Sequence, residues 1–230
     1  MWQAQVFTLY PEVFPGPLSK GLYGKALSKE LWNLKVVNIR DAAEDKHKTV
    51  DDTPYGGGSG MLLKADTLAK SLDQNKIEGD RIIYLSPKGK KFDQLYAQEL
   101  SKEKSVSFIC GHFEGVDERV LSTRNIEEVS IGDYVLTNGS LAAAVMIDAV
   151  SRHIPGVLGD DESLLDESFE DDLLGCPQYT RPAEFRGIKV PEVLLSGNHE
   201  DIARWRHEQR VQKTRSLRPD LSTNTQTIRN

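Results

Sequence analysis

Four stretches of this 230-residue chain combine glycine with polar groups in a way that could do chemistry. They are DDTPYGGGSGM (51–61), LSPKG (85–89), CGHFEGVDER (110–119) and IGDYVLTNGS (131–140). Glycine lets main-chain N–H groups approach a ligand closely, so a phosphate cradle is the first chemistry to test. A P-loop would end in Gly-Lys-Ser/Thr, but Gly60 is followed by Met61, Leu62 and Leu63. No G-x-G-x-x-G follows a strand with an acid about twenty residues on. His112 and Cys110 lack the partners of a zinc site, and no Gly-x-Ser-x-Gly elbow marks a hydrolase nucleophile.

The elements around these stretches explain their placing. QVFTLY, LKVVNIR, RIIYLS and SVSFICG read as buried strands, short and rich in branched or aromatic residues. Between them SKGLYGKALSKE, LKADTLAKSLDQN and FDQLYAQELSKE carry apolar residues at helical spacing. A fifth strand falls near EEVSIGDYV, followed by the helix SLAAAVMIDAVSRH, which IPG ends. Alternation of this kind predicts a parallel α/β sheet covered on both faces. Ligands of such sheets favour the carboxyl ends of strands, which is where LSPKG, CGHFEGVDER and IGDYVLTNGS fall.

Composition sets the frame. At 38% hydrophobic and 28% charged residues the chain is an ordinary globular protein, and two cysteines make no disulfide framework. The expectation is a cytoplasmic protein without a membrane segment, since LAAAVMIDAV is too short to span a bilayer. The net charge of −6 hides a polar distribution. Eight acids and no Lys or Arg lie between Asp160 and Asp172, whereas six Lys/Arg against one Glu lie between Arg204 and Arg218. The acidic run reads as a linker. The basic run reads as one helix capped by Asn198, with Glu200 and Asp201 in its first turn and Pro219 as its stop. Trp205 is expected to pack inward.

The stretches TVDDTPYGGGSGM, IYLSPKG, ICGHFEGVDERV, SIGDYVLTNG, DAVSRHIPGVLG, CPQYTRP and VLLSGNHEDIARWR resemble, in order and in register from Met1 to about Asp220, the bacterial tRNA (guanine-N1)-methyltransferases of the SPOUT class. The resemblance implies a parallel sheet carrying a deep trefoil knot, which periodicity alone would not suggest. It also implies a small, mainly helical C-terminal domain. The domains would be 1–159, an S-adenosylmethionine-binding domain; 160–172, an acidic linker; and 173–230, a tRNA-binding domain. The implied reaction is methyl transfer from S-adenosylmethionine to N1 of the guanine immediately 3′ of the anticodon, in a homodimer whose subunits complete each other's pockets. The other readings are a SPOUT methyltransferase acting on another RNA base, or a non-catalytic RNA-binding relative.

Cofactor contacts carry over to Tyr84, Leu85, Ser86, Pro87, Gly111, Glu114, Ile131, Gly132, Asp133, Tyr134, Val135, Leu136 and Leu141. The catalytic base corresponds to Glu167 in DESF, where relatives have Asp, with Asp166 as its competitor; the cation near O6 corresponds to Arg152. A Glu keeps the charge and reaches one methylene further. NGSLAA also departs from the family pattern, with Asn138 expected to tolerate positive φ and Ala142 replacing a proline. Substrate contacts are expected at Asp51, Asp52, Tyr55, Gly57, His199, Arg204 and Arg210, with Arg206, Lys213 and Arg215 also facing tRNA phosphates. Asp51 and Asp52 are the candidates for a Mg²⁺ ion.

Overall fold

The computed structural model describes residues 1–159, 167–169 and 171–224, and the chain divides into two compact units, Met1–Gly159 and Asp160–Asn230. Asp166, the alternative base, lies outside the described residues.

The first unit follows the predicted alternation. Its elements run β1 (Trp2–Thr8), α1 (Gly21–Ser28), β2 (Trp32–Asn38), β3 (Asp51–Asp52), β4 (Leu62–Leu63), α2 (Ala65–Gln74), β5 (Arg81–Lys91), α3 (Gln94–Ser101), β6 (Ser105–Cys110), α4 (Glu118–Ser122), β7 (Ile126–Ser130) and α5 (Ser140–Ser151). Five strands form one sheet in the order β2-β1-β6-β5-β7, each pair parallel. Burial on both faces is why the strands read as nearly unbroken apolar runs; every residue of β6 is buried.

Side chains alternate between the two faces with the period of two that a strand imposes. Val6, Ile83 and Phe108 join Met146, Ile147 and Val150 of α5 in one core layer. Their neighbours Phe7, Tyr84 and Ile109 join Leu68 of α2 and Val120 of α4 in the other. The alanines of α5 let it lie close to the sheet, with Ala143 fully buried. Both indoles of the first layer are satisfied, Trp2 donating to Leu100 O at 2.9 Å and Trp32 to Tyr23 O at 3.0 Å.

One departure shapes the site. LSPKG is not a loop after β5 but an irregular stretch inside it. β5 pairs with β7 through Leu85 and again through Lys90, and both residues face Val129. Ser86 to Lys88 therefore bow away from the ladder, while Gly89 packs directly against the backbone of Glu128 and Val129. Glu127 pins the break by accepting from Arg81 Nε at 2.5 Å, Lys90 Nζ at 2.7 Å and the Tyr96 hydroxyl at 2.8 Å. The Arg81 guanidinium foremost, with Lys90 and Tyr96, holds its carboxyl down at about 2.

The second unit contains α6 (His199–Leu217), α7 (Pro219–Asn224) and a small hairpin, β8 (Glu184–Phe185) against β9 (Ile188–Lys189). The hairpin had no clear sequence signal, because its strands are two residues long. Its turn residues, Arg186 and Gly187, both have positive φ. Asn198 caps α6 as expected, its side chain accepting from Glu200 N at 3.2 Å. Pro219 does not simply stop the helix. It opens α7, a first-turn position where its missing N–H costs nothing. Among the described residues no helix is long and apolar enough to cross a membrane.

Candidate functional site

At the carboxyl edge of the sheet, the bow in β5 and the loops after β6 and β7 enclose a cavity of about 350 Å³. Each loop is held by short-range bonds its sequence supplies. Ser86 Oγ accepts from Lys88 N at 3.2 Å and fixes the bow. Ser130 Oγ accepts from Gly132 N at 3.2 Å and donates to Gly132 O at 2.9 Å, turning the chain out of β7. Asn138 Oδ1 accepts from Ser140 N at 2.8 Å, an Asx turn just ahead of α5, whose N-cap is Gly139. Its φ is not positive, so this turn, and not tolerance of a left-handed backbone, accounts for asparagine there.

Of the expected cofactor residues, all but Asp133 and Leu141 line this cavity. Leu141 is largely exposed, one residue into α5. Gly139, His112, Glu118 and Glu128 also line it. The first three lie within the strand-end stretches picked from the sequence but were not named as cofactor contacts. The Gly139 amide donates to Gly111 O at 2.9 Å, closing the third loop onto the second. Glu128 lies outside those stretches and gave no signal, because only the fold turns β7 toward the cavity.

The cavity is electronegative. Glu114, Glu118 and Glu128 line it against one lysine, Lys88. Tyr84 forms part of the wall as a neutral phenol, pushed up to about 12 by burial and by the nearby Glu128 and Glu118 charges. Burial holds the His112 imidazole down at about 4. Its Nε2 accepts from Leu9 N at 3.2 Å, which puts the proton of the neutral ring on Nδ1. Burial also raises the Cys110 thiol to about 12, which leaves no thiolate to act as a nucleophile.

The glycine-rich stretch connects to this cavity. Asp51 and Asp52 form β3 and pair with β4, framing a loop whose tip carries Tyr55, 97% exposed. Asp52 Oδ1 accepts from Thr53 N at 2.7 Å. At the far end Glu114 N donates to Met61 O at 3.0 Å and Leu63 N donates to Gly115 O at 3.0 Å, so the loop leans on the second cavity loop. Gly60 has φ +85, and a Cβ there would fall on the Glu114 side chain. Gly57 lies in open space. Among the described residues no group of three or more His, Cys, Asp and Glu side chains is gathered to hold a metal ion.

Arg152 is the C-cap of α5, partly buried, and its charge opposes the burial that raises the Asp148 carboxyl one turn earlier. In the second unit Glu167 is partly buried beside a stretch fastened to α6. Gly175 N donates to Ser168 Oγ at 2.9 Å, Leu174 N donates to Thr214 Oγ1 at 2.8 Å, and Asp171 pairs with Arg210. Arg210 is therefore buried and held by a carboxylate, away from the exposed basic face that sequence spacing suggested. Arg206, Lys213 and Arg215 are exposed, as is His199. Arg204 is exposed too and pairs with Asp201 at 3.2 Å. Trp205 is only half-buried.

A cavity of this size at the carboxyl edge of a parallel sheet, with bare glycine backbone, some apolar wall and an acidic lining, is the kind of site in which an α/β protein can hold a small ligand. The chain belongs to the tRNA (guanine-1)-methyltransferase family, matching the tRNA (Guanine-1)-methyltransferase TrmD family over residues 2–224. It is similar to the tRNA (guanine-N(1)-)-methyltransferase of Pelagibacter ubique, 69% identical over 221 residues that cover 96% of this chain and 97% of the relative. The protein of the same name from Bartonella tribocorum is 52% identical over 220 residues, covering 96% and 94%. That from Geotalea uraniireducens is 50% identical over 220 residues, covering 95% and 89%.

Proposed function

We propose that this chain is the methyltransferase that carries a methyl group from S-adenosylmethionine to N1 of the guanine immediately 3′ of the tRNA anticodon. The observation that carries this reading is the cavity built by Leu85–Pro87, Gly111–Glu114 and Ile131–Leu136. The residues present fit the group. Leu85, Ile131, Leu136 and Ala142 offer apolar walls to a flat adenine, and bare backbone at Gly111 and Gly139 permits close approach. The three carboxylates suit a sulfonium cation. When bound, S-adenosylmethionine supplies an electrophilic methyl group.

The chain's own residues then have two tasks. A general base must remove the N1 proton, and Glu167 takes that role. A cation must offset the charge that develops on O6, and Arg152 takes that one. Phosphates of the tRNA meet Arg204, Arg206, Lys213 and Arg215, with His199 at the start of the same helix and Tyr55 at the tip of the glycine-rich loop as further contacts. Asp51 and Asp52 are successive residues of β3 and point to opposite faces of its ladder, so they do not fit a shared Mg²⁺ site, and no step is routed through that ion.

The reading includes a trefoil knot in the first unit. What supports the knot is membership of the family, whose resemblance implied it. It also includes a first domain for the cofactor (1–159), an acidic connection (160–172) and a tRNA-binding domain (173–230), working in the cytoplasm as a homodimer. Exposed Tyr134, Val135, Leu141 and Val145 support a partner surface on the first unit. Digestion of treated tRNA to nucleosides tests the site of transfer. The expected product is 1-methylguanosine; methyl groups on another guanine atom, or on ribosomal RNA alone, would select a different enzyme of the same class.

A further inference from the structure

The second unit holds a cavity of about 490 Å³ that the mechanism above does not use. The extended chain from Pro177 forms one wall and a face of α6 forms another. The rings of Tyr179 and Trp205 meet there with centroids 6.2 Å apart and planes tilted by 54°. Leu195 and Ile202 supply apolar surface, Arg181 and Arg206 supply two guanidinium groups, and among the described residues no Asp or Glu lines the cleft. These aromatics are not the interior of a packed core. Among the described residues of this unit only Cys176, Arg210 and Thr214 are fully buried, while Tyr179 is 47% exposed.

Aromatic faces beside guanidinium groups are the chemistry that takes an unpaired nucleotide, stacking its base and neutralising its phosphate. An acidic peptide would use the arginines but leave the rings idle, and an RNA duplex keeps its bases in its own stack. We propose that this cleft captures one unpaired nucleotide of the tRNA, its base against Tyr179 and Trp205 and its phosphate toward Arg181 and Arg206. The inference rests on tRNA being the substrate. It adds a second holding point that would let the enzyme tell a tRNA loop from plain duplex.

The test uses the full-length protein with a tRNA transcript and a blunt RNA duplex. Tyr179→Leu is expected to weaken tRNA binding by between about fivefold and a hundredfold, the range that loss of one stacked base gives. Binding of the duplex and of S-adenosylmethionine is expected to stay unchanged. Arg206→Gln is expected to lower the salt slope of tRNA binding by about one. tRNA should also quench tryptophan emission in the parent and do so far less in Trp205→Phe, a readout that stands if Tyr179→Leu fails to fold. Parental tRNA affinity in Tyr179→Leu, equal losses for tRNA and duplex, or an unchanged quench in Trp205→Phe would each overturn the proposal while leaving the tRNA reading intact. Failure of the parent to bind tRNA would overturn that reading, and this one with it.

Discussion

Gly139 and Gly111 are joined by a 2.9 Å hydrogen bond from amide to carbonyl, and the contact is so close that a Cβ on Gly139 would lie 2.8 Å from both Cys110 Cα and Gly111 N. Two of the three cavity loops thus share one backbone junction, and there the obstacle to any side chain is main chain that cannot rotate away.

Gly139→Ala is therefore expected to damage both fold and pocket. Forcing a methyl group into such a contact costs about 1–3 kcal/mol, or roughly 2–4 °C in Tm per kcal/mol for a chain of this size. Calorimetry should show at least a tenfold loss of S-adenosylmethionine affinity. Unchanged binding would mean that the loops do not form the cofactor site as a unit.

Gly60→Ala tests the link between the glycine-rich loop and the cavity. The backbone at Gly60 is left-handed, and the new Cβ would displace Glu114. Weaker cofactor binding is expected with little change in Tm. Gly58→Ala is the control, since φ there is +122 and nothing lies within reach of a Cβ. Equal effects from the two substitutions would assign the loss to backbone strain alone.

Glu167→Gln should lower the methyl-transfer rate by about 10²–10⁴-fold, the usual contribution of a general base. Affinities for tRNA and S-adenosylmethionine should persist. Asp166→Asn should remain near parental. The opposite pattern would move the base by one residue.

His112 makes stability depend on pH. Its imidazole is held at about 4, against an ordinary 6.5, so the unfolded chain binds the proton more readily than the folded one. Stability is then greatest above pH 6.5 and falls as the pH drops toward 4, by about 2 kcal/mol at pH 5. Thermal melts at pH 7.5 and 5 should show a smaller difference in His112→Asn than in the parent. An equal difference in both would place the acid sensitivity at another group.

Much of the first unit was legible in the sequence because local signals and tertiary demands agree there. Branched residues in QVFTLY and SVSFICG mark strands wherever they pair, and Asn198 caps a helix without help from the rest of the chain. What escaped depends on contacts between distant segments. The break in β5 exists because Leu85 and Lys90 both meet Val129, which nothing within LSPKG announces. Glu128 enters the cavity only because β7 lies beside β5. Arg210 shows the converse error, since five Lys and Arg residues on a helix look alike until Asp171 claims one of them. The expected cofactor residues came from the family resemblance, and the strand-end rule pointed independently to the same three loops.

The central claim is tested most directly by transfer of a labelled methyl group from S-adenosylmethionine to two tRNA transcripts. One carries guanine immediately 3′ of the anticodon and the other carries adenine there. Label on the guanine transcript alone is the predicted result, and it would also show that a chain carrying DESF is catalytically competent. Label on both transcripts, or on neither while the protein still binds S-adenosylmethionine, would contradict the account.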